Sequence, residues 1–302
     1  MQSLKALRSR IRKIQSTEKL TKAMRLMAAA RLKNVRHKIG EALPYIDAFW
    51  NVFSIANLRA MHSWEREYRA LNTKIDSSDT LAILVSADRG MCGQFNSSVV
   101  RAFFREINNE GSLDGLNVFC IGKKGYNILK QHPRFQSTAP EEEVNLNVKH
   151  FDFSVADKLS AQIIKLMETR NLKKCFILYN RFISVISYQA EREALLPLSP
   201  ELITSIAKNA NVTDVCSGGY EPGIAEVLEY LDTRYLSVKL YSVLLSSLVS
   251  EYSARLTAMD GAARNSRELL KTLRKRYNKI RQETITSQLT EIIAGSNALG
   301  AG

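Results

Sequence analysis

Turn-forming residues are scarce: 14 glycines and 6 prolines in 302 residues. That argues against a sandwich or barrel of many short strands and favours long helices. There are only four cysteines, and Cys92, Cys120, Cys175 and Cys216 lie far apart with no CxxC pair. With no signal peptide in view, they read as reduced thiols or small buried residues rather than a disulfide framework. No run of 18 apolar residues occurs, so no transmembrane helix is expected. His37, His62, His132 and His150 belong to no HExxH and no zinc-spaced pair. A GxSxG elbow is absent too. Acid is missing from one place in particular: residues 1–40 hold 12 Lys and Arg but a single acidic residue, Glu18.

At 45% hydrophobic, the chain can bury a real core in one or two domains. Its 43 Lys and Arg against 30 Asp and Glu give a net charge of +13, unevenly spread. Residues 1–40 carry +11 and residues 255–302 carry +5. Residues 41–254 hold 22 basic and 25 acidic residues, net −3. A near-neutral body with two basic ends excludes an acidic tail and argues against a uniformly basic chromatin protein. Charge alone leaves three uses for those ends: solvated coiled-coil flanks, nucleic-acid-binding arms, or surfaces that face acidic protein. An Arg-rich, acid-poor start also fits a mitochondrial transit peptide, but such a peptide would not normally run on into a longer helix with the same seam.

Stepping by alternating three and four from Leu228 to Ile280 visits sixteen positions, of which fourteen are apolar, Ala and Tyr included. Only Gly261 interrupts that span, and no proline does. A register held this long predicts a coiled-coil seam along a helix of about 80 Å. Leu4, Leu7, Ile11 and Ile14 begin a second seam at the other end. It then slips to Leu20, Met24, Met27, Arg31 and Val35, which reads as a stutter. Pro44 is expected to kink or end this helix, although Tyr45–Trp50 still reads as helical. The two seams suit an antiparallel coiled coil, with the longer C-terminal helix projecting alone at one end.

The middle reads as α/β. Thr80–Val85 and Val118–Ile121 are apolar strands; helices are expected from about Gln94 to Asn109, after Gly125 to Gln131, and over Ser154–Thr169. Cys175–Tyr179 and Phe182–Gln189 read as two strands joined at Asn180-Arg181. Segments 71–79 and 134–150 read as loops. Strands alternating with helices predict a mostly parallel, doubly wound, Rossmann-like sheet. The expected division is 1–58 for the N-terminal helix, 75–200 for the α/β domain, and 201–302 for a connector and the C-terminal helix. Gly90-Met91-Cys92-Gly93 follows a strand and precedes a helix, where anions bind. It has neither P-loop nor GxGxxG spacing, and Ile121–Gly125 fails the same tests. Both read better as tight structural turns, and Cys92 better as packing than as a nucleophile.

Three segments carry a resemblance. KLTKAMRLMAAARL (19–32), LVSADRGMCGQFNSS (84–98) and YNKIRQETITSQLTEIIAG (277–295), with YEP (220–222) and ARLTAMDGA (254–262), resemble the gamma subunit of the F-type ATP synthase. Gln94 departs from the family, which usually has a second glycine there. The regulatory cysteine pair of chloroplast members has no counterpart, so that thiol regulation is not expected. The resemblance implies a noncatalytic rotor: an antiparallel coiled coil turning inside a ring of alpha and beta subunits, with a Rossmann-like foot on the membrane proteolipid c-ring. It implies no cofactor, no metal and no catalytic residue. It implies small delta- or epsilon-type stalk partners, no nucleic acid and no transmembrane span. The place would be peripheral on an energy-transducing membrane, with the mitochondrial matrix side preferred to the bacterial cytoplasmic side. By resemblance Arg281, Gln282 and Thr286 form a catch on beta-subunit loops, and Met24 packs beside acidic beta segments. Tyr220 and Glu221 touch the c-ring, and Leu289, Ile292, Ile293 and Leu299 form a bearing tip. The rivals are a basic nucleic-acid-binding coiled coil and a nucleotide-using enzyme on the α/β domain.

Overall fold

The computed structural model describes residues 4–62, 80–110, 116–131, 136–138, 151–198 and 223–300. Two helices dominate, α1 (Leu4–His62) and α5 (Ile224–Gly300), of 59 and 77 residues. Between them come β1 (Thr80–Val85), α2 (Phe95–Glu110), β2 (Leu116–Ile121), α3 (Lys123–Leu129), β3 (Gln136–Thr138), α4 (Phe153–Thr169), β4 (Lys174–Ser184) and β5 (Ser187–Leu196). The chain divides into two compact units, Met1–Ala28 with Leu256–Gly302, and Ala29–Arg255.

The larger unit is built on one sheet of order β3-β2-β1-β4-β5. β1 pairs parallel to both β2 and β4, β3 pairs parallel to β2, and β5 returns antiparallel to β4. Side chains alternate between faces. Ala82 and Leu84, Val118 and Cys120, Phe176 and Leu178 bury against Val99, Val100, Phe103 and Ile107 of α2. The intervening Leu81, Ile83, Phe119, Ile121, Cys175 and Ile177 are also buried. Strands covered on both faces are continuous apolar runs, and that is why β1 and β2 are so legible.

Two readings are corrected here. β4 runs unbroken through Asn180-Arg181, and the turn lies at residues 185–186. Asn180 resembles a turn residue, but it is fully buried: Nδ2 donates to Phe95 O and Oδ1 accepts from Ser98 Oγ, both at 2.8 Å. β3 falls in a stretch read as loop. It is three residues long at the sheet edge, too short to show a period.

In this unit α1 and α5 run antiparallel: Arg31 of α1 stands over Tyr252 of α5, whereas Trp50, farther along α1, meets Tyr235, farther back along α5. Trp50 and Phe53 pack on Tyr235 with ring centres 5.8 and 5.3 Å apart. Ser237 Oγ of α5 bonds Ser160 and Asp157 of α4 at 2.7 and 2.9 Å. α1 passes through Pro44 without ending. The lost N–H and the ring's clash are offset by helix residues on both sides that bury Ala42, Ile46, Phe49 and Phe53.

In the smaller unit, Arg25 Nη1 meets Asp260 Oδ1 at 2.9 Å and Arg267 Nε meets Glu18 Oε1 at 3.2 Å. Seven residues back along α1 is seven forward along α5, which is antiparallel pairing. The expected stutter is absent. Leu7 and Ala28 are buried, Ile11, Ile14, Glu18 and Arg25 half-buried, and Thr21 is buried between them. Leu20 and Met27, given to the seam by the sequence, are more than half exposed, at 55% and 54%. The original phase persists because Glu18 and Arg25 occupy it as polar seam residues with partners across the pair, and Thr21 buries its hydroxyl on Glu18 O of its own helix at 3.0 Å. A Lys22 hydrogen bond also holds the Glu18 carboxyl below its ordinary range. Farther along α1 the same phase places Leu32 and Val35, both buried.

Gly40 and Gly261 are helical, and a Cβ at either would meet nothing within 4 Å. Replacing either by alanine should raise stability by about 0.5–1 kcal/mol, because alanine loses less backbone freedom on folding. Thermal unfolding of each single variant checks this.

Candidate functional site

Doubly wound sheets take ligands beyond the carboxyl ends of the strands, where the order reverses. Here that place lies beyond the carboxyl ends of the adjacent strands β1 and β4. It is filled by the protein itself. The turn after β1 carries Met91 and Gly93 in left-handed conformation, φ 62° and 58°. It folds Cys92 inward to pack with Ala87, Phe95 and Ala254, with Tyr188 against them. Burial pushes the Cys92 thiol up, away from the thiolate a nucleophile requires. Asn96 Oδ1 accepts the Ala87 N–H at 2.9 Å, and its Nδ2 donates to Cys92 Sγ at 3.3 Å.

The second turn, Ile121–Gly125, closes on the first. Ser86 N donates to Ile121 O at 2.8 Å, and Gly125 N donates to Ser86 Oγ at 2.8 Å. Lys123 N donates to Asp88 Oδ1 at 3.1 Å, so the anion at the start of α3 is the chain's own carboxylate. Among the described residues, no group of three or more His, Cys, Asp or Glu is placed to hold a metal.

The surfaces named from the sequence lie elsewhere. Arg281, Gln282 and Thr286 are exposed on α5. Leu4 lies 21 residues before Arg25, and Arg281 lies 21 after Asp260. In the register of the smaller unit, α1 therefore begins opposite Arg281. From Gln282 onward α5 passes the last described residue of α1. Its apolar residues there are bare: Ile285, Leu289, Ile292 and Ile293 are 44–67% exposed. Met24 is half-buried, with Leu20, Leu26 and Met27 exposed around it. Leu299 lies in the last turn of α5, its side chain outside the described residues, as are Tyr220 and Glu221 altogether.

The sequence reading missed two features. Ile285 extends the bare tip and is readable as the step of four before Leu289. The buried pair Glu251 and Arg255 binds α5 to the first turn, with Arg255 Nη1 at 2.6 Å from Glu251 Oε1. An i,i+4 acid–base pair inside an apolar stretch was its signal.

The architecture defines a class: two long antiparallel terminal helices around a Rossmann-like sheet. Solved structures share it. A chain of the Euglena gracilis mitochondrial ATP synthase, in an assembly of OSCP, F1 and c-ring, superposes with TM-score 0.65 at 18% identity, covering 99% of this chain and 95% of that one. One from the Tetrahymena thermophila mitochondrial ATP synthase central stalk and c-ring gives 0.57 at 22%, covering 80% and 99%. A family model described as ATP synthase matches residues 3–299. The "ATP synthase gamma chain" of Sinorhizobium fredii is 34% identical over 302 residues, covering 99% of this chain and all of that one. That of Rhizobium rhizogenes is 35% identical over 304 residues with the same coverage. The chain belongs to the ATP synthase gamma-chain family.

Proposed function

We propose that this chain is the noncatalytic central rotor of an F-type ATP synthase, turning within the alpha/beta hexamer on the membrane c-ring. The observation that carries this is the bare end of α5. Four large apolar residues, Ile285, Leu289, Ile292 and Ile293, stand exposed past the end of the helix pair. Apolar surface of that kind calls for a partner, and a sleeve formed by the ring supplies one. Leu299, in the last turn of α5, would belong to the same surface by resemblance. The rotor acts by contacting each beta conformer with a different free energy, and the pattern of contacts moves round the ring as it turns. Membership of the gamma-chain family supports the alpha, beta and c-ring partners. Small delta- or epsilon-type stalk subunits would bind the foot, taken as residues 75–200.

No described helix is long and apolar enough to cross a membrane. Attachment is peripheral, through the c-ring. The gamma-chain relatives named above are bacterial. They favour the cytoplasmic face of a bacterial plasma membrane over the mitochondrial face that the sequence reading preferred.

Co-purification tests the reading. The chain should elute with an alpha/beta ATPase, and a chain that elutes only as a lone monomer would defeat it. Exposed Arg281, Gln282 and Thr286 fit a polar catch on beta loops, and Met24 fits a contact beside acidic beta segments. Changing Arg281 and Gln282 to alanine should slow ATP turnover by about tenfold with assembly retained, as the loss of two charge-assisted or neutral hydrogen bonds implies. Unchanged turnover in the purified complex would count against the catch. Tyr220 and Glu221 would meet the c-ring. Reversing the charge at Glu221 should reduce proton-driven synthesis while the detached soluble ATPase keeps its rate.

A further inference from the structure

Apolar contact between a helix and a domain has no direction and permits sliding. The cluster around Arg255 is directional. Arg255 is buried. Its Nη1 donates to Glu251 Oε1 at 2.6 Å, and its Nη2 to the carbonyl oxygens of Arg89 and Gly90 at 3.3 and 3.5 Å. Those carbonyls belong to the turn after β1. The guanidinium also stands 5.5 Å from the centre of the Tyr252 ring, and Arg31 of α1 stands 5.9 Å from the same ring. One cluster therefore joins α1, α5 and the first turn of the α/β domain.

A guanidinium is a planar fork with fixed donor directions. Bound to a carboxylate on its own helix and to two carbonyls of a neighbouring turn, it resists both rotation and translation of α5 against that turn. The turn itself is braced by Asn96 and, through Ser86, by the turn after β2. We propose that Arg255, held in place by Glu251, is a positioning residue that locks α5 to the α/β domain and passes rotation of the foot to the shaft. This rests on the rotor reading above. The exposed catch on α5 would then transmit to the ring what Arg255 receives from the foot.

The test uses the ATP synthase complex reconstituted in sealed vesicles, with proton pumping and ATP hydrolysis measured together. Arg255→Lys keeps a cation beside Glu251 but loses the fork to the two carbonyls. Pumping per ATP hydrolysed should fall by about threefold or more while hydrolysis persists. An unchanged ratio overturns the proposal. So does an equal fall in both rates, which is what a merely structural role would give. Ala254 packs with Cys92 in one cluster, so Ala254→Cys added to Arg255→Lys allows diamide to cross-link α5 to the turn. The ratio should recover on cross-linking and fall again on reduction; a cross-linked complex that still pumps poorly overturns the proposal. Should the unsubstituted complex itself fail to pump protons on ATP, the rotor reading fails instead, whatever Arg255→Lys does.

Discussion

Gly122→Ala should lower the stability of the α/β domain by about 2–6 kcal/mol, enough to unfold it or prevent its assembly. Two causes act together. Gly122 has φ 102° and ψ 133°, a conformation that side-chain-bearing residues rarely adopt. A Cβ there would lie 2.1 Å from Ser86 O and 2.7 Å from its carbonyl carbon. The obstacle is backbone, so no side chain can swing aside. Nor can Ser86 retreat, because its N–H bonds Ile121 O and its hydroxyl receives Gly125 N–H. Moving it would undo the junction of both turns. Whole domains are stable by only about 5–15 kcal/mol, so this loss is large. Gly90 is the control. It lies in the turn after β1, but a Cβ there meets only Lys124 Cε at 3.9 Å, in ordinary contact. Gly90→Ala should shift the urea midpoint little. A Gly122→Ala midpoint matching that of Gly90→Ala would refute the steric account.

These two glycines mark how far the sequence could be read. Both sit in turns between strand and helix, and nothing in composition or spacing separates them. The difference is a contact with Ser86, 36 residues away along the chain, which only tertiary structure supplies. The same limit explains the N-terminal seam. Counting apolar residues moved it to Leu20 and Met27 because Glu18, Thr21 and Arg25 do not look like seam residues. The partners of Arg25 and Glu18, Asp260 and Arg267, lie more than 200 residues away. Where burial is mainly apolar, sequence and structure agree: the sixteen α5 positions from Leu228 to Ile280 are all buried or half-buried, and β1 and β2 sit where their apolar runs lie. The β4–β5 turn was misplaced because Asn180-Arg181 has turn chemistry, whereas Asn180 is spent on buried hydrogen bonds to α2. The roles proposed for Arg281, Gln282 and Thr286 and for the apolar end of α5 rest on resemblance. What the structure adds is that α5 runs on past the first described residue of α1, in a register fixed by two ion pairs.

Arg255→Ala should cost about 3–5 kcal/mol at neutral pH, since it strands a buried carboxylate. Glu251 is 8% exposed. Burial already holds its carboxyl above the ordinary value, and the nearby Asp88 pushes the same way. Arg255 opposes this by its charge and its hydrogen bond, and Arg31 by its charge. Without Arg255 the carboxyl rises further. The sign then follows from proton counting. An acid raised in the folded state binds more protons there than in the unfolded chain, so stability falls as pH climbs between the two values. Below the ordinary Glu value of 4.5 the group is protonated in both states, and the variant loses only the contacts of Arg255. Above it, the deficit relative to the native chain should grow. The growth begins where the native Glu251 has ionised but the variant's has not, at up to about 1.4 kcal/mol per pH unit. Denaturant unfolding of both chains at about pH 5 and pH 8 measures this, and the gap should be wider at the higher pH. Adding Glu251→Gln should flatten the pH dependence and recover part of the loss, because an amide tolerates burial without a cation. A gap that is the same at both pH values, or one that Glu251→Gln leaves untouched, would mean that Arg255 stabilises the turn only through its carbonyl bonds, with the buried carboxylate playing no part.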